Sequence, residues 1–409
     1  MAYVLKSIIG VGLALVCILA VPEICETAHA GETVRIGLIA ELSGKFAAYG
    51  LPSKRAAEMA VAAVNGQAGG KKIDLIVRDV QSDPQVMVAV MKELADQQHV
   101  DFLVGPIASP IVATGVPSWR QSKPLWIVPG SSSPNLEKEI GGEALYFHAY
   151  PYAYNYHVPA AEGLRHYLGP NRRMAVIYAD DNFGRSHLDY VRKYYGNAGF
   201  KIVAEEMVRA NAPDMRPSLA RIRAAKPDVL VALVETTDAV TLAKQVRIVK
   251  LGVPYLLGTS FAQYNEWQNA VGEAQEGWLG VSTYLPGVLD RPGDPNAPKL
   301  FPSSKEWEAT FRKLYNAEPD QLAASTYVSV AMLILAIERC SCDDKEKVAT
   351  ELRKMEVMTV FGKGKFHPSE GGTLQQAYDQ MVLFQRHNGK SVVVYPTDVR
   401  QRDLMPINW

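Results

Sequence analysis

Short β-rich runs alternate with helical stretches from Thr33 to beyond Tyr255, and that alternation leaves few folds open. Residues 33–42, 72–80, 101–105 and 124–128 read as strands, with helical stretches at 51–67, 84–98 and 110–121 between them. In the second of these helices Val86, Val90 and Leu94 recur every four residues beside Met87 and Met91, which makes one apolar stripe, and Pro84 suits a first helical turn. Strands exchanged with helices in this way imply βαβ units and a parallel sheet covered on both faces. A second series follows an aromatic connector at 146–157: strands at 174–179, 201–208, 228–234 and 255–258, helices at 183–197, 213–225 and 236–250. The architecture repeats without repeating its sequence, so two doubly wound, Rossmann-like α/β lobes are expected. After a Pro/Gly-rich stretch at 286–302 come two more helical patterns, 304–315 and 321–340, and a β-rich tail at 378–395. That tail is too short to bury a core of its own and should complete one of the existing sheets.

The first thirty residues read as targeting rather than fold. Lys6 precedes an apolar run from Ile8 to Val21, closed by Pro22 and followed by Ala28-His29-Ala30, the layout of a cleavable export signal. A periplasmic location is expected, with residues 1–30 removed and Cys17 and Cys25 lost with them. Cys340 and Cys342 then remain, separated by one serine, and are expected to form a local disulfide or nothing rather than a metal site. The chain carries 43 basic and 43 acidic residues, so it has no general electrostatic pull toward nucleic acid or anionic lipid.

In open α/β sheets ligands bind beyond the carboxyl ends of the strands. Three neighbouring strand ends carry small hydroxyl residues and open backbone: Leu42-Ser43-Gly44, Gly105-Pro106-Ile107-Ala108-Ser109, and Pro129-Gly130-Ser131-Ser132-Ser133. Hydroxyls and free N–H groups at helix starts can hold a carboxylate without a counter-ion. The alternative is that Ser109 and Ser131 to Ser133 only cap helices.

These motifs, in order, are where a family resemblance becomes specific. Val34-Arg35-Ile36-Gly37-Leu38, Leu42-Ser43-Gly44, Tyr49-Gly50, Asp79 with Asp83-Pro84, Leu103-Val104-Gly105-Pro106, Pro129-Gly130, Tyr178-Ala179-Asp180-Asp181-Asn182-Phe183-Gly184 and Lys226-Pro227-Asp228 resemble the exported solute-binding proteins of the leucine/isoleucine/valine type that serve ABC importers. The resemblance implies the type I periplasmic binding protein fold, with two lobes joined by three crossovers near 149–152, 282–285 and 373–378. The lobes would then comprise 31–149 with 285–375, and 150–284 with 376–409. It also implies a ligand carboxylate held by Ser109, the Gly130 backbone and Ser132, with Tyr49 bordering the cleft and Phe183 covering the ligand from the second lobe. An inner-membrane ABC permease is the implied partner, the protein itself acting as a monomer. No cofactor or metal is expected.

Two departures from the family bear on the solute. Where amino-acid-binding relatives carry an acidic residue for the ligand ammonium, after the strand at 255–258, this chain has Thr259-Ser260-Phe261. Ser260 compensates weakly, and Glu235 at the end of the preceding strand is the candidate for the missing charge, unless it is only a solvated acid at a helix start. The connector holds Tyr146, Tyr150, Tyr152, Tyr154 and Tyr156, of which Tyr150 and Tyr152 sit at the expected crossover and can stack on a flat ligand. An aromatic or aliphatic acid, or an amide, therefore stands beside an amino acid as the expected solute. Catalysis is not expected: zinc-protease, nucleophile-elbow and phosphate-loop motifs do not occur, and His166 and His187 are read as solvated or packed on helical surfaces. The alternative function is a periplasmic sensor of the same fold that signals without transport.

Overall fold

The computed structural model describes residues 33–140, 142–372 and 375–409. The export segment read at 1–30 lies outside the described residues, as does Thr373 at the start of the third expected crossover.

Two mostly parallel sheets organise the chain. In the first, Thr33–Ala40 runs between Lys71–Asp79 and Phe102–Val104, with Ile36 opposite both Leu75 and Phe102. Leu125–Val128, Tyr146–His148 and Gln375–Gln376 extend it in parallel, and the short antiparallel strands Gln67–Ala68 and His367–Pro368 form its edges. Ile36, Leu38 and Ile39 are all buried, the near-continuous apolar run that a sheet covered on both faces demands. The second sheet orders Lys201–Val208, Arg173–Ala179, Val229–Leu233, Tyr255–Gly258 and Trp278–Ser282 in parallel. The C-terminal tail completes it as expected: Val382–His387 pairs antiparallel with Trp278–Ser282, and Lys390–Tyr395 pairs with Val382–His387.

The helix read at 84–98 ends as regular α-helix at Lys92 and widens into a π turn over Glu93–Gln97. Its start is fixed by Asp83, whose carboxylate accepts from the N–H groups of Gln85 at 2.7 Å and Val86 at 3.1 Å. Helix Gln321–Cys340 is long and apolar enough to cross a membrane, but it is buried along nearly its whole length and packs against helix Ala47–Ala63 in the core. Cys340 and Cys342 just beyond it are joined in a disulfide, the local staple among the two outcomes expected.

The chain passes between the sheets after His148, after Ser282 and after Gln376. Two buried glutamines bind these passages together. Gln321 accepts from the Thr283 N–H at 2.9 Å and from the Ser282 hydroxyl, and its amide donates to the Tyr150 hydroxyl at 2.7 Å. Gln376 donates to Asn155 Oδ1 at 2.7 Å and to the Tyr378 carbonyl at 2.8 Å, while accepting from the Tyr154 hydroxyl at 3.0 Å. Each amide spends its donor and acceptor on groups from different passages, so the connection between the sheets is a specific polar network rather than loose strap.

Candidate functional site

A small cavity lies where the strand ends of the two sheets meet. Tyr49, Ile107, Ala108, Ser109, Ser131 and Ser132 reach it from loops and helix starts of the first sheet, and Phe183, Glu235, Ser260 and Tyr264 from those of the second. Tyr150 and Tyr156 reach it from the first passage between them. Its free volume is about 20 Å³, room for one water-sized sphere, so any solute larger than that needs the two halves to part. A much wider depression of about 820 Å³ around Arg247 and Glu273 lies before the start of strand Trp278–Ser282, the opposite end from that at which open α/β sheets bind ligands.

Close backbone approach builds the first-sheet wall. A Cβ on Gly130 would lie 2.8 Å from the Cα and carbonyl oxygen of Ile107, so only glycine lets the loop after Leu125–Val128 touch the loop that launches helix Ser109–Ser122. Gly130→Ala is accordingly expected to cost about 1–3 kcal/mol of stability through overpacking, read from urea unfolding midpoints; an unchanged midpoint would mean that the loops need not touch. Ser131 holds a left-handed backbone with φ of 64°, and its buried hydroxyl has no partner among the described residues. Strain of this kind in a non-glycine residue gathers at functional sites. Ser109 accepts from the Ser133 N–H at 3.4 Å, which leaves its own proton to donate. Beneath this wall, Glu41 accepts from the N–H groups of Ile107 at 3.0 Å and Ala108 at 2.8 Å. Burial pushes its carboxyl up to about 7 against the pull of those two N–H groups.

Glu235 follows strand Val229–Leu233 and is buried. Its carboxylate accepts from the Tyr49 hydroxyl at 2.7 Å across the gap between the halves, and that hydroxyl also lies 3.0 Å from Thr236 Oγ1. Burial, with Asp181 nearby, raises the Glu235 carboxyl to about 7, opposed by the Tyr49 hydroxyl and by Lys45. It is therefore not a solvated helix-start acid. Further bonds cross the same gap: Ser132 Oγ to His187 Nε2 at 3.0 Å, Asn135 to Asn182 at 3.2 Å, and the Thr237 hydroxyl to the Lys45 carbonyl at 3.1 Å. The halves are closed on one another.

Of the residues singled out in the sequence, Tyr49, Ser109, Ser132, Tyr150, Phe183, Glu235 and Ser260 all line the cavity. Gly130 and Tyr152 do not. Gly130 shapes the wall from behind, and the Tyr152 ring stacks on His148 with centroids 3.9 Å apart. The connector is helical from Ala153, not extended, so its rings rotate by about 100° per residue and Tyr156, not Tyr152, turns to the cavity. Ser131, named in the serine run but given no role in the resemblance, lines the cavity too, and Tyr264 was missed. Of the two histidines read as solvated or packed, His187 is packed, fully buried against Ser132, whereas His166 is exposed.

Two three-layered α/β halves, linked by three passages and closed over a polar cavity at their strand ends, define a clamshell solute receptor. The chain belongs to the periplasmic binding protein family, whose model matches residues 33–389, and within it to the type I, leucine/isoleucine/valine-binding group. An "Amino acid binding protein" of Pseudomonas aeruginosa is 26% identical over 338 residues, covering 82% of this chain and 86% of that one. Among solved structures, the branched-chain amino acid transporter substrate-binding protein LivJ of Streptococcus pneumoniae, in complex with isoleucine, has a TM-score of 0.76 at 23% identity, covering 89% of this chain and 100% of that one. An ABC transporter solute-binding protein of R. palustris, in complex with benzoate, also has a TM-score of 0.76, at 19% identity, covering 88% of this chain and 95% of that one. The homologues and fold neighbours are solute-binding proteins, not enzymes.

Proposed function

We propose that the chain is the periplasmic substrate-binding component of an ABC importer and that it binds a small carboxylate-bearing solute between lobes 31–149 with 285–375 and 150–284 with 376–409. It delivers the solute, chemically unchanged, to an inner-membrane permease. The observation that carries this reading is the set of hydroxyls at one cavity, Ser109 with a free proton, Ser131 with no partner and Ser132, with no lysine or arginine among the lining residues. A carboxylate bound there is held by neutral donors, as oriented hydroxyls and a helix start allow. Glu235 and Tyr49 provide the second recognition point, suited to an ammonium group. Four rings, Tyr150, Tyr156, Phe183 and Tyr264, favour a second reading in which the solute is an aromatic acid.

The test is calorimetry of purified protein against amino acids, aromatic acids, short-chain acids and amides, repeated with Ser132→Ala. An acid should bind, and the variant should bind it about tenfold more weakly, the effect of one hydrogen bond to a charged group. Unchanged affinity would remove Ser132 from the site. Loss of uptake of that solute on deletion of the protein separates import from the sensory alternative.

A further inference from the structure

Behind Ser132 runs a buried line of polar groups that the solute would not touch. Ser132 Oγ lies 3.0 Å from His187 Nε2, His187 Nδ1 lies 3.1 Å from His157 Nε2, and His157 Nδ1 lies 3.5 Å from the Tyr195 hydroxyl. All four side chains are buried, the three rings completely. The line leads from the first-sheet wall through helix Asn182–Asn197 and helix Ala153–Leu168 and back to the first of these.

Two neutral imidazoles in contact share one proton, so every bond in the line must point the same way. There are two choices. In one, protons point inward, from the Ser132 hydroxyl to His187, from His187 to His157, and from His157 to Tyr195. The Tyr195 proton is then left over, and among the described residues its hydroxyl has no partner besides His157, so a buried donor goes unsatisfied. In the other, Tyr195 donates to His157 Nδ1, His157 Nε2–H to His187 Nδ1, and His187 Nε2–H to Ser132 Oγ. Every donor in the line is then used, and the only proton left is that of Ser132, which lines the cavity. A charged imidazole is a poor alternative, because burial lowers both rings well below their ordinary range and, among the described residues, neither ring is hydrogen-bonded to a carboxylate.

We infer that Tyr195, His157 and His187 form a one-way hydrogen-bond chain that fixes Ser132 as a donor toward the cavity, so that the group the solute presents there must be an acceptor, a carboxylate rather than an amine. The solute statement rests on the function proposed above; the direction of the chain does not. His187 and Tyr195 are thus positioning residues for recognition, acting through Ser132. The chain also explains why a serine, which alone can either donate or accept, discriminates at this point.

The direction is read by long-range 1H–15N correlation of the histidine rings in 15N-labelled protein at neutral pH with no solute added, His157→Gln and His187→Gln serving to assign the two signals. Both rings should be neutral and carry their proton on Nε2. A proton on Nδ1 of either ring, or a doubly protonated ring, overturns the proposal. Tyr195→Phe keeps the packing and removes the terminal donor, so an Nδ1-protonated population should appear in His157. Binding of L-isoleucine or benzoate, whichever the unaltered protein takes, should weaken about tenfold in that variant. Unchanged ring protonation in Tyr195→Phe would show that the tyrosine does not set the direction. If neither probe binds the unaltered protein, the proposed solute class fails while the ring signals still decide the chain.

Discussion

Glu235→Gln is expected to weaken L-isoleucine binding more than about a hundredfold while leaving benzoate binding unchanged or stronger. An ammonium enclosed in the cavity faces no other carboxylate among the lining residues, and removing one partner of a buried ion pair typically costs about 3–5 kcal/mol. Benzoate has the opposite requirement. Its charge shares a small, buried space with a carboxyl held near 7, so Glu235 must keep its proton for the anion to enter. The pH dependence follows with opposite signs. An ammonium-bearing solute favours the ionised carboxylate, and its affinity should rise as pH increases through about 7. A simple acid favours the protonated form, and its affinity should fall over the same interval. Calorimetry of both solutes between pH 6 and 8, roughly one unit either side of that value, decides between them. A flat profile for both, together with full affinity in Glu235→Gln, would remove Glu235 from recognition.

Gln321→Ala should be the most damaging single change to the connection between the halves. The amide is fully buried and serves three groups at once: the Ser282 hydroxyl, the Thr283 N–H and the Tyr150 hydroxyl. Truncation leaves the Thr283 N–H without an acceptor, leaves the Ser282 hydroxyl only the Tyr284 carbonyl, and takes a donor from the Tyr150 hydroxyl; a buried group so orphaned costs about 1–3 kcal/mol. A total near ~3 kcal/mol is expected from one orphaned donor and one lost hydrogen bond, a large share of the roughly 5–15 kcal/mol that holds a domain folded. Chemical denaturation measures it. A loss under about 1 kcal/mol would mean that water or relaxation replaces the amide and that the passages are tied together elsewhere.

The layered architecture was legible because it is written in local periodicity. The strand read at 255–258 falls where Tyr255–Gly258 lies, and the tail joins a sheet because it is too short to do otherwise. The serines at the cavity were legible for a topological reason, since strand ends are where such folds place ligands. What stayed hidden depended on which faces meet. His187 lies on a helix whose sequence alone looks amphipathic with a polar side, and only the packing of helix Asn182–Asn197 against helix Ala153–Leu168 turns that side inward. Tyr156 takes the place expected of Tyr152 because the chain is helical from Ala153, and the helical period sets which ring faces the cavity. The glutamines Gln321 and Gln376 gave no signal, because an amide becomes informative only when the groups around it are known.

The way the strands interleave bears on how the molecule is made. Gln375 pairs with Phe147 in one sheet, and Val382 pairs with Ser282 in the other. A chain growing from the ribosome therefore lacks an edge of both sheets until its closing segment has been synthesised, and contacts so distant in sequence form slowly. Neither half can complete its sheet before that segment is available.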